Sequence, residues 1–146
     1  MHNPIDCLNG LLRGEISAVE TYEQAIEKFK TKRYSPILSE CQSEHEERVL
    51  RLRSKIESLG GQPAQRAGAW GAFAKFLEGS AALLGDKPSV DLLEEGEDHG
   101  LKAYKDECAK CDNPEVRTFI ESELLPGQER THSTLHALKA KLEETP

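Results

Sequence analysis

Apolar residues recur along this chain in steps of three and four, the spacing of helices with one buried face. Ile5, Leu8, Leu12, Val19, Tyr22, Ile26 and Phe29 keep that rhythm, with one gap at position 15. They predict a first helix over 4–32, closed by Lys28, Lys30, Lys32 and Arg33, a basic cluster that suits a helix C-terminus. Ser35-Pro36 reads as the cap and first residue of a second helix over 36–59. Its inner face is Leu38, Cys41, His45, Val49, Leu52, Ile56 and Leu59, and Gly60-Gly61 followed by Pro63 ends it. The short connection makes these two helices antiparallel neighbours.

A long crossover follows, with a helix expected over 68–84. Trp70, Phe73, Phe76, Leu77, Ala81, Leu83 and Leu84 cover a wide face of it. A helix this apolar is expected to pack over the bundle or to form the interface of a homo-oligomer. The third helix is predicted over 89–111 on Val90, Leu93, Leu101, Tyr104, Cys108 and Cys111, with a gap at 97. Asn113-Pro114 opens the fourth, over 114–144, on Val116, Ile120, Leu124, Leu135, Leu138 and Leu142. Pro126-Gly127 falls inside it and predicts a kink or short break. A hairpin, a long crossover and a second hairpin make an all-α, antiparallel four-helix bundle of the ferritin-like connection, one domain over 1–146.

Composition agrees. Of 146 residues, 37% are hydrophobic and 31% charged, and Glu, Lys, Leu and Ala far outnumber the β-branched residues. The net charge of −7 argues against nucleic acid as a partner. No stretch resembles a signal peptide or has the length of a membrane span, so no membrane contact and a cytoplasmic location are expected. The four cysteines are then expected as reduced thiols. Cys108-x-x-Cys111 has no second pair at matching spacing, and Cys41 belongs at the opposite end of the bundle, so small buried thiols are the expected reading.

The two gaps carry the candidate chemistry. Both are filled by glutamate, in Gly14-Glu15 and Gly96-Glu97, and each has a tyrosine seven residues on, Tyr22 and Tyr104. The echo suggests two halves related by an approximate twofold. A carboxylate turned into a core must be protonated, paired or bound to a metal. Glu129-x-x-His132 on the fourth helix adds a carboxylate and an imidazole on one face. One Glu from each of two helices plus Glu-x-x-His from the others is a di-metal carboxylate pattern, and its donors suit iron, manganese or zinc. The candidate metal ligands are therefore Glu15, Glu97, Glu129 and His132, with Tyr22, Tyr104 and Gln128 as supporting hydrogen-bond partners.

The second helix departs from the pattern, because Gln42 stands three residues before His45 where a Glu is needed. With the first turn centred near ~34, His45 lies ~8 residues, about 12 Å, from the level of Glu15, which assigns it elsewhere, near Tyr22. In the second hairpin Glu97 is level with Gln128 and Glu129. Two functional readings follow. One is a bundle that holds a divalent metal in a stress- or metal-related role. The other is a non-catalytic interaction module whose buried Glu, His and Tyr residues form a metal-free polar network.

Leu8-Asn9-Gly10-Leu11-Leu12, Leu59-Gly60-Gly61-Gln62-Pro63, Leu92 to Asp98 with Tyr104, and Leu125-Pro126-x-Gln128-x3-His132 together resemble a bacterial family known as domain of unknown function 2383, within the ferritin-like superfamily. The resemblance spans nearly the whole chain. It implies a ferritin-like bundle and no particular activity. A wider, partial resemblance to rubrerythrin-like proteins implies metal-ligand roles for Glu15, Glu97, Glu129 and His132, with Tyr22 supporting. Gln42 and the short spacing from Glu15 to His45 are where this chain departs from it.

Overall fold

The computed structural model describes residues 3–68 and 85–144, and these are all-α. Helix α1 (Pro4–Lys28) starts where the Ile5 N–H donates to Asn3 Oδ1 and Pro4 fills a first-turn position that needs no donor. It ends four residues earlier than its apolar pattern predicts. The cause is distant in sequence. The Asp86 carboxylate accepts from the backbone N–H groups of Lys30 and Thr31 at 2.8 and 2.7 Å, and Phe29 is already extended. After a single 3₁₀ turn (Lys32–Tyr34), α2 (Ser35–Ser58) runs back down the bundle. Ser35 is its first residue and not its cap; the Tyr34 cap makes no side-chain bond. Gly60, at φ 80°, turns the chain out of α2 while the Gly61 N–H returns to the Ile56 carbonyl.

The chain then climbs beside α1. Gly61 lies against Ile5, Asn9 donates to the Gln62 carbonyl and accepts from the Ala64 N–H, and Gly68 lies against Arg13. Apart from Gly68, the helix expected over 68–84 and the interface assigned to it lie outside the described residues.

Helix α3 (Asp86–Lys110) begins at the upper end, tied there by Asp86, and descends. Its start precedes the expected one because Ser89 is inside the first turn, where its hydroxyl donates back to the Gly85 carbonyl. Asn113 and Pro114 open α4 (Pro114–Phe119) as the sequence predicts, with Asn113 Oδ1 accepting from the Val116 N–H. A π-helical turn, Ile120–Leu124, joins it to α5 (Leu125–Glu144). The expected break at Pro126 takes this form. Proline cannot donate to the Ser122 carbonyl and its ring crowds it, and the wider turn absorbs both without interrupting the rod.

Two apolar clusters fill the bundle. The lower one gathers Leu8, Leu12, Leu52, Ile56, Val116, Ile120 and their neighbours; the upper gathers Phe29, Leu38, Val90, Leu93, Leu135, Leu138 and theirs. Between them lies a layer of buried polar side chains. No described helix is long and apolar enough to cross a membrane.

Candidate functional site: a buried ionic layer

The four long helices each turn polar side chains into this layer. Glu15 comes from α1, His45 and Arg48 from α2, Glu97 from α3, and Gln128 and Thr131 from α5. All six are at most 3% exposed, so their charges must be balanced inside the protein.

They are. His45 bridges the two acids, with Nδ1 2.5 Å from Glu15 Oε1 and Nε2 2.7 Å from Glu97 Oε2. Arg48 Nε donates to Glu15 Oε2 at 2.5 Å, and its Nη2 reaches Gln128 Oε1 and Thr131 Oγ1 at 3.0 and 3.3 Å. The Tyr104 hydroxyl donates to Glu15 Oε2 and the Tyr22 hydroxyl to Glu97 Oε2, at 2.5 and 2.6 Å. Thr131 and the Gln128 amide donate to Glu97 Oε1, at 2.8 and 3.1 Å. All four carboxylate oxygens are bonded. The Gly-Glu and Tyr echo of the two hairpins has a counterpart here: the glutamate of each hairpin takes the tyrosine of the other. His45-x-x-Arg48 on α2 and Gln128-x-x-Thr131 on α5 share a three-residue spacing, and each pair bonds to the glutamate of its own hairpin.

Electrostatics follows from the geometry. Burial works against ionised Glu15, but His45 and Arg48 outweigh it and hold the carboxyl down at about 2. Burial likewise opposes the His45 cation, and the two carboxylates overcome it and raise the imidazole to about 9. Glu97 is lowered for the same reason, against its own burial. Burial and the adjacent carboxylates push both tyrosines well above the ordinary phenol range, so they act as donors. Near neutral pH the layer therefore holds two carboxylates, one imidazolium and one guanidinium, with no net charge. Glu15 lies between the two cations, which approach to 2.9 Å at His45 Nδ1 and Arg48 Nη2.

Of the residues singled out from the sequence, Glu15, Glu97, Tyr22, Tyr104 and Gln128 meet in this layer. His45 does too, at its centre, so the reading that placed it elsewhere is corrected. The short α1 brings His45 level with Glu15, and its ring also lies against Tyr22, with centroids 5.3 Å apart. Glu129 and His132 stay outside. Glu129 is exposed, and His132 Nε2 contacts Asp98 Oδ1 at 2.5 Å on the outer seam of α3 and α5. Both are one position beyond the inward residues Gln128 and Thr131, a rotation of about 100° on a helix. Gln42 ties α2 to α1 by donating to the Val19 carbonyl. Sequence reasoning missed Arg48 and Thr131. The signal was present in the three-residue spacing from His45 and from Gln128.

Among the described residues, no group of three or more His, Cys, Asp or Glu side chains is arranged to hold a metal ion. A narrow cavity of about 40 Å³ between α1 and α3 reaches Glu15, His45 and Glu97, past walls that include Gly14, Gly96 and Gly100. The four thiols are free. Cys7 and Cys111 are buried in the lower cluster with Cys108 packed on it, and Cys41 is in the upper one. Burial pushes Cys41 up to about 12 and Cys108 up to about 11, aided by nearby carboxylates, and raises Cys7 further. These three therefore stay protonated, as small packing groups.

Comparison with known proteins finds a family model that matches residues 3–123. No curated protein and no solved structure matches the chain significantly.

Proposed function

The chain belongs to the family described as Domain of unknown function (DUF2383), and from the geometry of the buried layer we propose that it is a non-catalytic helical module whose central ionic network replaces a metal centre. The single observation that supports this is the complete internal satisfaction of Glu15 and Glu97. A bridging metal pair needs Glu-x-x-His, or a close equivalent, from the second and fourth helices. Their places are held by His45-x-x-Arg48 and Gln128-x-x-Thr131. A guanidinium has donors only and cannot ligate a metal, so a metal pair does not fit the residues present. The same layer is suited to fixing how the two hairpins dock. Fully satisfied buried networks specify register, because any misplaced helix strands a charge.

We also read the bundle as ferritin-like. Two features support that reading: the antiparallel hairpins α1–α2 and α3 to α5, and a connection that leaves α2 at the lower end and enters α3 at the upper.

The test is metal content. Protein purified without chelator and dialysed against Fe²⁺, Mn²⁺ or Zn²⁺ is expected to retain far less than one equivalent in the bundle, with the thermal melt unmoved. Stoichiometric metal that is lost in Glu97→Gln and raises the melting temperature would overturn the proposal.

A further inference from the structure

The position of Arg48 says more than that the layer is balanced. Its guanidinium is inserted between α1 and α5, and room for it is made by an absent side chain. A Cβ on Gly127 would stand 2.9 Å from Arg48 Nη1. Around it converge Glu15 Oε2 from α1, the His45 imidazole, and Gln128 Oε1 and Thr131 Oγ1 from α5. Take the guanidinium away and the layer keeps two carboxylates and one imidazolium, one positive charge short of neutrality. The donors that remain at the vacated place are Glu15 Oε2, His45 Nδ1, Gln128 Oε1 and Thr131 Oγ1, with Glu97 one bond further out on Thr131, an oxygen and imidazole set suited to zinc, manganese or iron.

We infer that Arg48 is the residue that closes this layer to divalent metal: the protein supplies the cation from its own chain, and a divalent ion takes that place when the guanidinium is removed. The His45 Nδ1 proton then leaves to solvent as that nitrogen ligates, while Nε2–H stays on Glu97, so that the two carboxylates balance the ion. This rests on the metal-free reading above and adds which side chain enforces it. Gln128 and Thr131 are neutral, so they cannot exclude a cation by charge. The cavity between α1 and α3 already reaches Glu15, His45 and Glu97, which gives an incoming ion its route.

The experiment uses the full chain as wild type, Arg48→Ala and Arg48→His. The histidine variant puts an imidazole three residues after His45. Each is dialysed against micromolar Zn²⁺ or Mn²⁺, analysed for metal and melted with and without it. The Arg48 variants are expected to take up about one equivalent and to melt higher with Zn²⁺, while the wild type does neither. Glu15→Gln in the Arg48→His background should abolish the uptake, which separates the layer from the surface histidines His132 and His136. Wild type and variants both empty would overturn this inference and leave the proposed function standing. A full equivalent in the wild type would overturn both. If a variant is unfolded without metal, folding on addition of Zn²⁺ supports the inference, and failure to fold with Zn²⁺ sinks it.

Discussion

Arg48→Met is the sharpest test of how the layer stabilises the fold. The Arg48 side chain is buried, and Met fills most of its stem while deleting the charge. The layer is then left with one uncompensated negative charge. Breaking a buried ion pair by removing one partner typically costs about 3–5 kcal/mol, mostly the penalty of the stranded charge. With an unfolding entropy of roughly 2.1 cal/mol/K per residue, the 146-residue chain should lose about 10–16 °C in melting temperature. Glu15→Gln combined with Arg48→Met restores neutrality, leaving His45 facing Glu97. That double variant should be more stable than Arg48→Met alone, with a coupling energy of about 2 kcal/mol. The deficit of Arg48→Met should also narrow at acid pH, as one of the stranded carboxyls takes a proton. Urea and thermal unfolding of the four proteins of the cycle give all these quantities. An Arg48→Met cost below about 1 kcal/mol, the scale of an exposed ion pair, would refute the reasoning. So would a double variant whose loss equals the sum of the single losses.

Two further outcomes follow from the same contacts. Glu15 is held down at about 2 against an ordinary value of 4.5, so its contribution is present above 4.5 and is lost as pH falls toward 2. His45 is raised from 6.5 to about 9, so its contribution is complete below 6.5 and is lost as pH rises through 9. Both shifts report one shared contact and are not additive. Urea midpoints should form a plateau from about pH 4.5 to 6.5 and fall on either side; a midpoint unchanged from pH 6 to 9.5 would contradict the imidazolium. The second outcome concerns glycine. A Cβ at Gly100 would stand 2.7 Å from Gln128 Nε2, which is pinned to Glu97 by two bonds, whereas a Cβ at Gly10 meets nothing within 4 Å. Gly100→Ala should destabilise by about 1 kcal/mol net of the helix-propensity gain, and Gly10→Ala should stabilise by about 0.5–1 kcal/mol, read from denaturation midpoints.

Why some of this layer was legible in the sequence and some was not comes down to the range of the interactions that fix it. Glu15 and Glu97 declared themselves locally, because a carboxylate at a seam position is a contradiction within a single helix. The level of His45 could not be read locally, because it depends on where α1 stops. That is decided by Asp86, at the far end of the crossover, pulling Lys30 and Thr31 out of the helix. The inward face of the last helix was misread for a related reason. The π turn before Pro126 admits an extra residue and rotates everything after it, so a face counted forward from Val116 drifts. Counted backward from Leu135 in steps of four and three, the same face lands on Thr131 and Gln128 and leaves Glu129 and His132 outside. Arg48 was overlooked because an arginine beside Val49 looks like the solvent edge of a helix. Only the demand for neutrality exposes it. Two buried carboxylates need two positive charges, His45 supplies one, and among the side chains gathered in the layer only Arg48 supplies the other.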